Sequence, residues 1–536
     1  MTWVFVRLLC GEPGRPDDRV RPVSQRAPSR GRRARFATPG ALTLLVTSIA
    51  LTTVPPGAAP ATARPPTVIG AGDWPTYGHD AQHTFHAATT LTPSQIPSMR
   101  KAWKFHTGDA VTATPTVVAG AVYVGSWDGY FYAIDLRTGT LRWKFQLDAQ
   151  PAVLPQPGVI PRPNTSDGGL VTSSAWFEPG TAHRPDLVIF GGGYTLYALN
   201  AQTGKLFWKH PYTGRPDLPP DPVRDGARIF SSPVVADRKV LFGVSVDGAA
   251  GYRGYVAGAS LETGDPVWVH KTDVNAQRHV LNDGCGNVWS SGTELPKPRL
   301  VVFDTADCKS SNSAPYAETI MALAVSDGHL VWMTKPPRPD ANCDIDFGAT
   351  VNAGLSAQGQ ARFLGVGGKD GTYYSLDPTT GTIKWATNVV FGGSAGGFIG
   401  TAAYDGQRVY GSTALGDVDG PCNPSNPRDT RFQEPSLHVF DADTGSVAWE
   451  SSGVASFAPT TIAGGMVFSG VALSAVVQIR DAAHGTVLGQ LKTSAPCWSG
   501  IAVTGDAVVL GTGTTYKGSP DGVMAFTPGG APPWPP

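Results

Sequence analysis

Charge is scarce in this chain. Only 16% of its 536 residues are Asp, Glu, Lys or Arg, and 42 basic side chains are matched by 42 acidic ones. Beyond the N-terminal segment no run of Lys and Arg occurs, so the electrostatic footprint of a nucleic-acid or anionic-membrane binder is missing and small neutral partners are favoured. No Cys-x-x-Cys-His is present, which excludes a covalently attached c-type haem as an internal electron acceptor. No Gly-Lys-Ser/Thr follows the glycine-rich stretch Gly392-Gly-Ser-Ala-Gly-Gly397, so that stretch is not a phosphate-binding loop. Cysteine is sparse as well. If Cys10 leaves with a leader, Cys285, Cys308, Cys343, Cys422 and Cys497 remain, an odd set that predicts one or two disulfides and one free thiol in an exported protein.

What is abundant is turn material, Gly 65 and Pro 47. The first 63 residues differ from the rest. Arg30-Gly-Arg-Arg-Ala-Arg35 precedes the apolar stretch 41–54 and then Ala61-Thr-Ala63, the basic, apolar and small-residue order of an export signal. Cleavage near Ala63 is expected, after an unusually long basic lead, giving a secreted or cell-surface product. The apolar stretch is too short to remain as a stable membrane span. The expected organisation is an export signal over 1–63, an N-terminal arm over 64–98, a repeat domain over 99–528 and a Pro-rich tail over 529–536.

The repeat is the dominant signal. Ala133-Ile-Asp-Leu-Arg-Thr-Gly-Thr-Leu-Arg-Trp143 recurs in copies ending at Trp208, Trp268, Trp332, Trp385 and Trp449, with a decayed copy ending at Gly489. Each has apolar alternation, Asp or a similar residue, Thr-Gly or a near equivalent, and alternation again. That is a hairpin with a positive-φ glycine in its turn. The Trp stands four residues beyond the turn glycine in every intact copy, a fixed place from which it can dock on a neighbouring sheet. Intervals of 53 to 65 residues between the Trp positions exceed what one four-stranded unit needs, so most units carry insertions. A preceding strand pair, as in 114–125 and 232–243, completes four strands per unit, and radial repetition of such units makes an all-β propeller. The strand 99–105 reads as the tail of a repeat and 507–526 as a head; joined, they close the ring at eight blades, with seven as the competing count.

These repeats, together with Asp73-Trp-Pro-Thr-Tyr-Gly-His-Asp80, resemble the pyrroloquinoline quinone (PQQ) dehydrogenases, the quinoprotein alcohol dehydrogenases that include polyvinyl-alcohol dehydrogenases. The same repeat occurs in non-catalytic propellers similar to BamB. The resemblance implies PQQ and a Ca2+ or lanthanide ion, a small or polymeric alcohol as substrate, and a separate electron acceptor. It places the catalytic base at Asp344 in 339–346, with Asp346 two residues on, the pattern that accompanies lanthanide use in the family. Two carboxylates so spaced on an extended chain share a face and can chelate a hard cation. Lys369, in 367–377, matches the cation that contacts the quinone oxygens, where it would stabilise developing negative charge. Trp289 matches the indole beneath the flat cofactor. Ser231, Ser232 and Arg253 match cofactor-contact positions. Further metal ligands fall on Asp307, in place of the family's Asn, and on Asp247, because Ala249 occupies the position of the family's Glu. The family's vicinal Cys-Cys is absent. The competing function is therefore a secreted binding or scaffolding propeller.

Overall fold

The computed structural model describes residues 66–148, 171–214, 227–246, 253–275, 277, 279, 285–306, 315–337, 345–393, 395–416, 433–514 and 521–533. Eight antiparallel sheets are arranged as a ring, so the count is eight blades and not seven. Their inner strands are Thr116–Val118, Trp176–Glu178, Val234–Ala236, Thr293–Leu295, Asn352–Leu355, Ala403–Tyr404, Thr461–Ala463 and Ile501–Thr504. Each neighbours the inner strand of the next blade, and the eighth returns to the first. The closing blade is shared between the chain's two ends: Met99–His106 is its outer strand, paired antiparallel with Gly522–Pro528. Lys104 and Asp521 tie the two segments by an ion pair. A sheet closed on itself in this way leaves only short outer edges.

The hairpin device works as its residues dictate. In the first blade, the Asp135 carboxylate accepts from the backbone N–H and the hydroxyl of Thr138, and the turn glycine that follows has φ +69°. The Trp four residues on then reaches the next blade. The indole nitrogens of Trp103, Trp143, Trp208, Trp268, Trp332, Trp385 and Trp449 each donate to a backbone carbonyl of the following hairpin. Each ring lies on that hairpin's glycine. At Gly204 a Cβ would come within 2.6 Å of the Trp143 ring, so glycine is required there by contact as well as by its φ of +68°. Where the seventh blade has Gly489 in place of Trp, Ile96 fills the position. A Cβ at residue 489 would lie 2.8 Å from its Cγ2. Ile96 comes from the 3-10 helix Pro93–Ser98, which thus replaces the missing indole at the seam.

Between blades, facing sheets bury apolar side chains, as where Phe131 of the first blade stacks on Phe190 of the second with centroids 3.8 Å apart. A second interblade device lies two residues before six of the eight inner strands. The backbone N–H of Thr114 donates to Ser174 Oγ, Ser174 to Ser232, Ser232 to Ser291, Ser291 to Thr350 and Thr350 to Thr401, all at 2.8–3.0 Å. This hydroxyl ladder runs through six successive blades. It stops at the position of Pro459, which has neither an N–H nor a hydroxyl.

The segment 72–90 runs around the inside of the ring, along its inner strands. Its backbone pairs with that of Val117 and Phe177, then Glu294, Ala353, Tyr404 and Ile462, and finally Gly505, which together reach seven of the eight blades. Ala81 packs against the apolar cluster that includes Val234 and Ala236 of the remaining one. His86–Ala87 adds a fifth, parallel strand to the seventh blade. Residues sealed in a channel need partners for their polar groups, and His83 has them: its ring nitrogens lie 2.7 Å from Tyr77 O and 2.8 Å from Gly292 O.

Candidate functional site

In a four-stranded blade, the connection between the second and third strands and the connection to the next blade leave from the same face of the ring. The Thr-Gly hairpins sit on the opposite face. Sequence insertions that fall in those two kinds of connection therefore converge on one end of the axis, the usual binding face of a propeller. The strap 72–90 lies below that face. The Tyr77 hydroxyl is 2.9 Å from Thr401 Oγ1 of the ladder, and burial pushes its phenol up to about 12, so it stays protonated. Strap and ladder thus meet beneath the insertion-bearing connections.

Lys369 is placed at this end by the hairpin between Ala361–Gly367 and Thr372–Leu376. A lysine in a hairpin is ordinarily solvated, yet here it is 6% exposed. Its Nζ lies 2.9 Å from Asp346 Oδ1, and its backbone N–H donates to the Asp346 carbonyl. Asp346, 3% exposed, stands in the segment leading into the fifth inner strand. The two sequence-selected residues are thus one buried ion pair. Asp370 steadies the turn by accepting from the Thr372 N–H and the Tyr374 hydroxyl. The glycine-rich stretch closes over its back: Gly393 N–H donates to Lys369 O, and a Cβ at Gly397 would come within 2.4 Å of that oxygen. The glycines at 392–397 are therefore required for close approach to Lys369.

Trp289 precedes the fourth inner strand by four residues and is half-buried. Its indole lies against Gly348, where a Cβ would stand 2.5 Å from Cη2. Gly348 is two residues from Asp346, so the flat ring and the ion pair adjoin. Arg253 is described, with its backbone N–H donating to Gly214 O. The neighbouring Gly254 touches Gly286 and Asn287, on the same segment as Trp289. Ser232 belongs to the hydroxyl ladder, accepting from Ser174 and donating to Ser291. Ser231 is fully buried with an unpartnered hydroxyl, as are the Thr114 and Thr172 hydroxyl oxygens on the two preceding blades. Asp344, Asp307 and Asp247 lie outside the described residues.

Cys285, in the segment carrying Trp289, is disulfide-bonded. Cys497 is a buried free thiol. Cys308, Cys343 and Cys422 lie outside the described residues.

The donor set can be matched against what the resemblance implies. A half-buried indole against Gly348 and a buried ammonium held by Asp346, two residues from that glycine, suit a flat, acidic quinone. A metal ion is a different matter. Among the described residues no three His, Cys, Asp or Glu side chains are grouped to hold one, and Asp346 is already engaged by Lys369.

Sequence reasoning missed the apolar half of this end of the ring. Ala395, Ile399, Ala414, Leu415, Phe457 and Ala472 form one cluster, with Trp289, Ala455 and Trp498 packed against it. It is assembled from four blades, and no single stretch of chain displays it.

Comparison with known proteins matches the chain to a family and a fold. The family described as glucose/ethanol/alcohol dehydrogenase, β-propeller domain, a PQQ family, matches residues 74–389. The outer membrane protein assembly factor BamB family matches 316–496 and 369–530. A polyvinylalcohol dehydrogenase from a Pseudomonas species is 24% identical over 60% of this chain and 51% of its own length. The chain thus spans about half the length of the curated relative. Quinohemoprotein alcohol dehydrogenase from Comamonas testosteroni superposes with a TM-score of 0.67 at 20% identity, covering 87% of this chain and 82% of that one. A europium-containing methanol dehydrogenase gives 0.66 at 17%, covering 85% and 98%. At these identities the superpositions establish the fold.

Proposed function

The chain belongs to the glucose/ethanol/alcohol dehydrogenase β-propeller family, and on that premise we propose that it is an exported oxidoreductase that oxidises an alcohol with bound PQQ and a Ca2+ or lanthanide ion. The two electrons leave to a separate acceptor. The observation that carries the reading is the buried Lys369–Asp346 pair beside the Trp289 indole at the insertion-bearing end of the axis. A buried ion pair is weak evidence for stability, because desolvation offsets much of the attraction; its place next to the segment that holds a flat aromatic side chain supports a functional use.

When bound, PQQ supplies the acceptor for the hydride of the alcohol carbon and the metal supplies Lewis acidity. The chain's own residues do the rest. Trp289 offers the stacking plane, with Gly348 against its ring edge. Lys369 presents positive charge where the quinone oxygens gain electron density, and Asp346 with the 392–397 glycines fixes its position. Asp344 is assigned as the base that takes the hydroxyl proton. Asp344, Asp307 and Asp247 are assigned to the metal by their match to the family's positions, with Asp346, engaged by Lys369, beside them, and no step is derived through it.

The test is equilibrium binding of PQQ to the mature protein, followed by tryptophan fluorescence, with Ca2+ or a lanthanide present, and dye reduction with simple and polymeric alcohols. Absence of binding with either metal would sink the oxidoreductase reading in favour of a BamB-like scaffold. Asp344→Asn is expected to retain PQQ and lose turnover; unchanged turnover would remove Asp344 as the base.

A further inference from the structure

Four residues before each inner strand, and so two places beyond the hydroxyl ladder, the chain forms a second tier of the inner ring. In the first five blades its members are Thr112, Thr172, Phe230, Trp289 and Gly348, and all five are half-buried. In the last three they are Ile399, Phe457 and Cys497, which are buried. The tier is therefore open along one arc of the ring and closed along the other, where the apolar cluster around Phe457 fills it. Trp289 and Gly348 stand at the end of the open arc that adjoins Lys369.

The other end of the arc carries a second hairpin of the Lys369 type. Lys369 N–H donates to Asp346 O and Trp127 N–H to Ala110 O, and each acceptor lies six residues before its inner strand. The Asp128 carboxylate accepts from the Tyr130 N–H and the Tyr132 hydroxyl, just as Asp370 accepts from the Thr372 N–H and the Tyr374 hydroxyl. Trp127 thus stands in the first blade where Lys369 stands in the fifth, and in a ring of eight those two blades face each other across the axis. Unlike Lys369, Trp127 is half-buried. Its indole N–H donates to Thr112 Oγ1 at 2.8 Å, which orients the ring and leaves the Thr112 O–H to donate to another acceptor.

Two indoles and a phenyl ring left half-open along one arc, with a hydroxyl at one end and a buried ammonium at the other, have the composition of a pocket for a flat ligand: aromatic area to cover it and a few polar groups to fix its direction. We propose that the flat ligand of this site lies over the first five blades and not over the last three, with Phe230 as a second apolar contact beside Trp289, and with Trp127, oriented by Thr112, as the contact opposite Lys369. The proposal rests on the reading of PQQ as that ligand. Neither Phe230 nor Trp127 belongs to the positions matched to the family, and both are contributed by the open arc alone.

The experiment uses the mature chain with Ca2+ and three reporter variants, Thr112→Cys, Thr172→Cys and Ile399→Cys. Each is treated with iodoacetamide with and without PQQ, and alkylation at the substituted position is followed by mass spectrometry. The thiols at positions 112 and 172 should react readily and be protected by PQQ, whereas the thiol at position 399, in the closed arc, should react slowly in either case. In calorimetric titrations, Phe230→Ala and Trp127→Ala should each raise the PQQ midpoint about ten-fold, the scale of losing one aromatic contact. Phe230→Leu and Trp127→Phe serve if an alanine variant fails to fold, and should shift the midpoint in the same direction by a smaller factor. Thiols at 112 and 172 that react no faster than the one at 399, PQQ that binds without protecting them, or unchanged affinity in folded Phe230 and Trp127 variants overturns the inference. Absence of PQQ binding to the parent chain removes the cofactor reading and these contacts with it; binding without protection removes the contacts alone.

Discussion

Replacing Lys369 by methionine isolates the ion pair at the site. Lys369 and Asp346 have side chains 7% and 4% exposed, and their charged atoms are 2.9 Å apart. Lys369→Met keeps the aliphatic bulk and leaves the Asp346 carboxylate buried without its ammonium. Breaking a buried pair from one side costs about 3–5 kcal/mol, because the remaining charge keeps its desolvation penalty. Removing both charges, as in Lys369→Met with Asp346→Leu, should recover most of that loss, since an apolar pair of similar volume is about neutral. A chain of this length unfolds with an entropy of roughly 1 kcal/mol/K, so the single variant should melt about 3–5 °C lower and the double variant within about 1–2 °C of the parent. The assay is differential scanning calorimetry with a double-mutant cycle, run alongside a PQQ titration. Stability and cofactor affinity should separate: the double variant regains its melting temperature but not its PQQ affinity. If the two single changes simply add, the charges are not coupled and the pairing is refuted. If the double variant binds PQQ as well as the parent, the ion pair is a fold device and Lys369 has no part in the site.

Three further outcomes follow from the ring itself. Ile96→Ala empties the position that replaces the missing indole at Gly489, and should cost about 2–4 kcal/mol by the usual cavity penalty; native-state hydrogen exchange should localise the loosening to the seam between the seventh and eighth blades. Hairpin aspartates govern acid stability. The Thr379 backbone N–H, joined by that of Thr380 and by Lys384, holds Asp377 below the usual carboxylate range, as the Thr444 hydroxyl and backbone N–H hold Asp441. A depressed folded value gives stability that is present above the unfolded carboxylate pKa, near 3.9, and is lost as pH falls through the folded value. Melting temperature should therefore decline below about pH 4, and Asp377→Asn with Asp441→Asn should flatten that decline; an unchanged profile would refute the assignment. Burial pushes the Cys497 thiol up to about 12, so the folded protein should resist alkylation at Cys497 at pH 8, read by mass spectrometry, and lose that protection on unfolding.

The repeats were legible because each carries its own local chemistry. Asp, Thr-Gly and Trp at fixed spacing specify a hairpin and a docking ring whatever the rest of the blade does, and the divided strands 99–105 and 507–526 announced the closure of the ring. Three features were not legible, for one shared reason. The strap 72–90 gains its meaning only from seven inner strands far away in sequence. The hydroxyl ladder has a signal in principle, since Ser or Thr recurs two residues before successive inner strands at separations of 60, 58, 59, 59 and 51 residues; Ser232, seen alone, reads as a cofactor contact instead. The apolar cluster around Phe457 and Trp498 takes its members from four blades, and each one, in its own stretch, is an ordinary apolar residue beside a strand. Lys369 shows the same limit from the other direction: a motif located it, but no local pattern told a buried ammonium from a solvated one. A propeller encodes its architecture within each blade and its chemistry between blades, because the axis is the one place where every blade contributes and none has a contiguous sequence. Substitutions that alter the site are therefore expected at the residues two to four positions before the inner strands, where they leave the hairpins untouched, and Gly348, against the edge of the Trp289 ring, is the most sensitive of them. Gly348→Ala would drive a methyl to 2.5 Å from the indole and tilt it. It should weaken PQQ binding while the Trp-docking hairpins, and with them most of the melting temperature, stay as they are; unchanged PQQ affinity in a folded Gly348→Ala protein would remove Trp289 from the floor of the site.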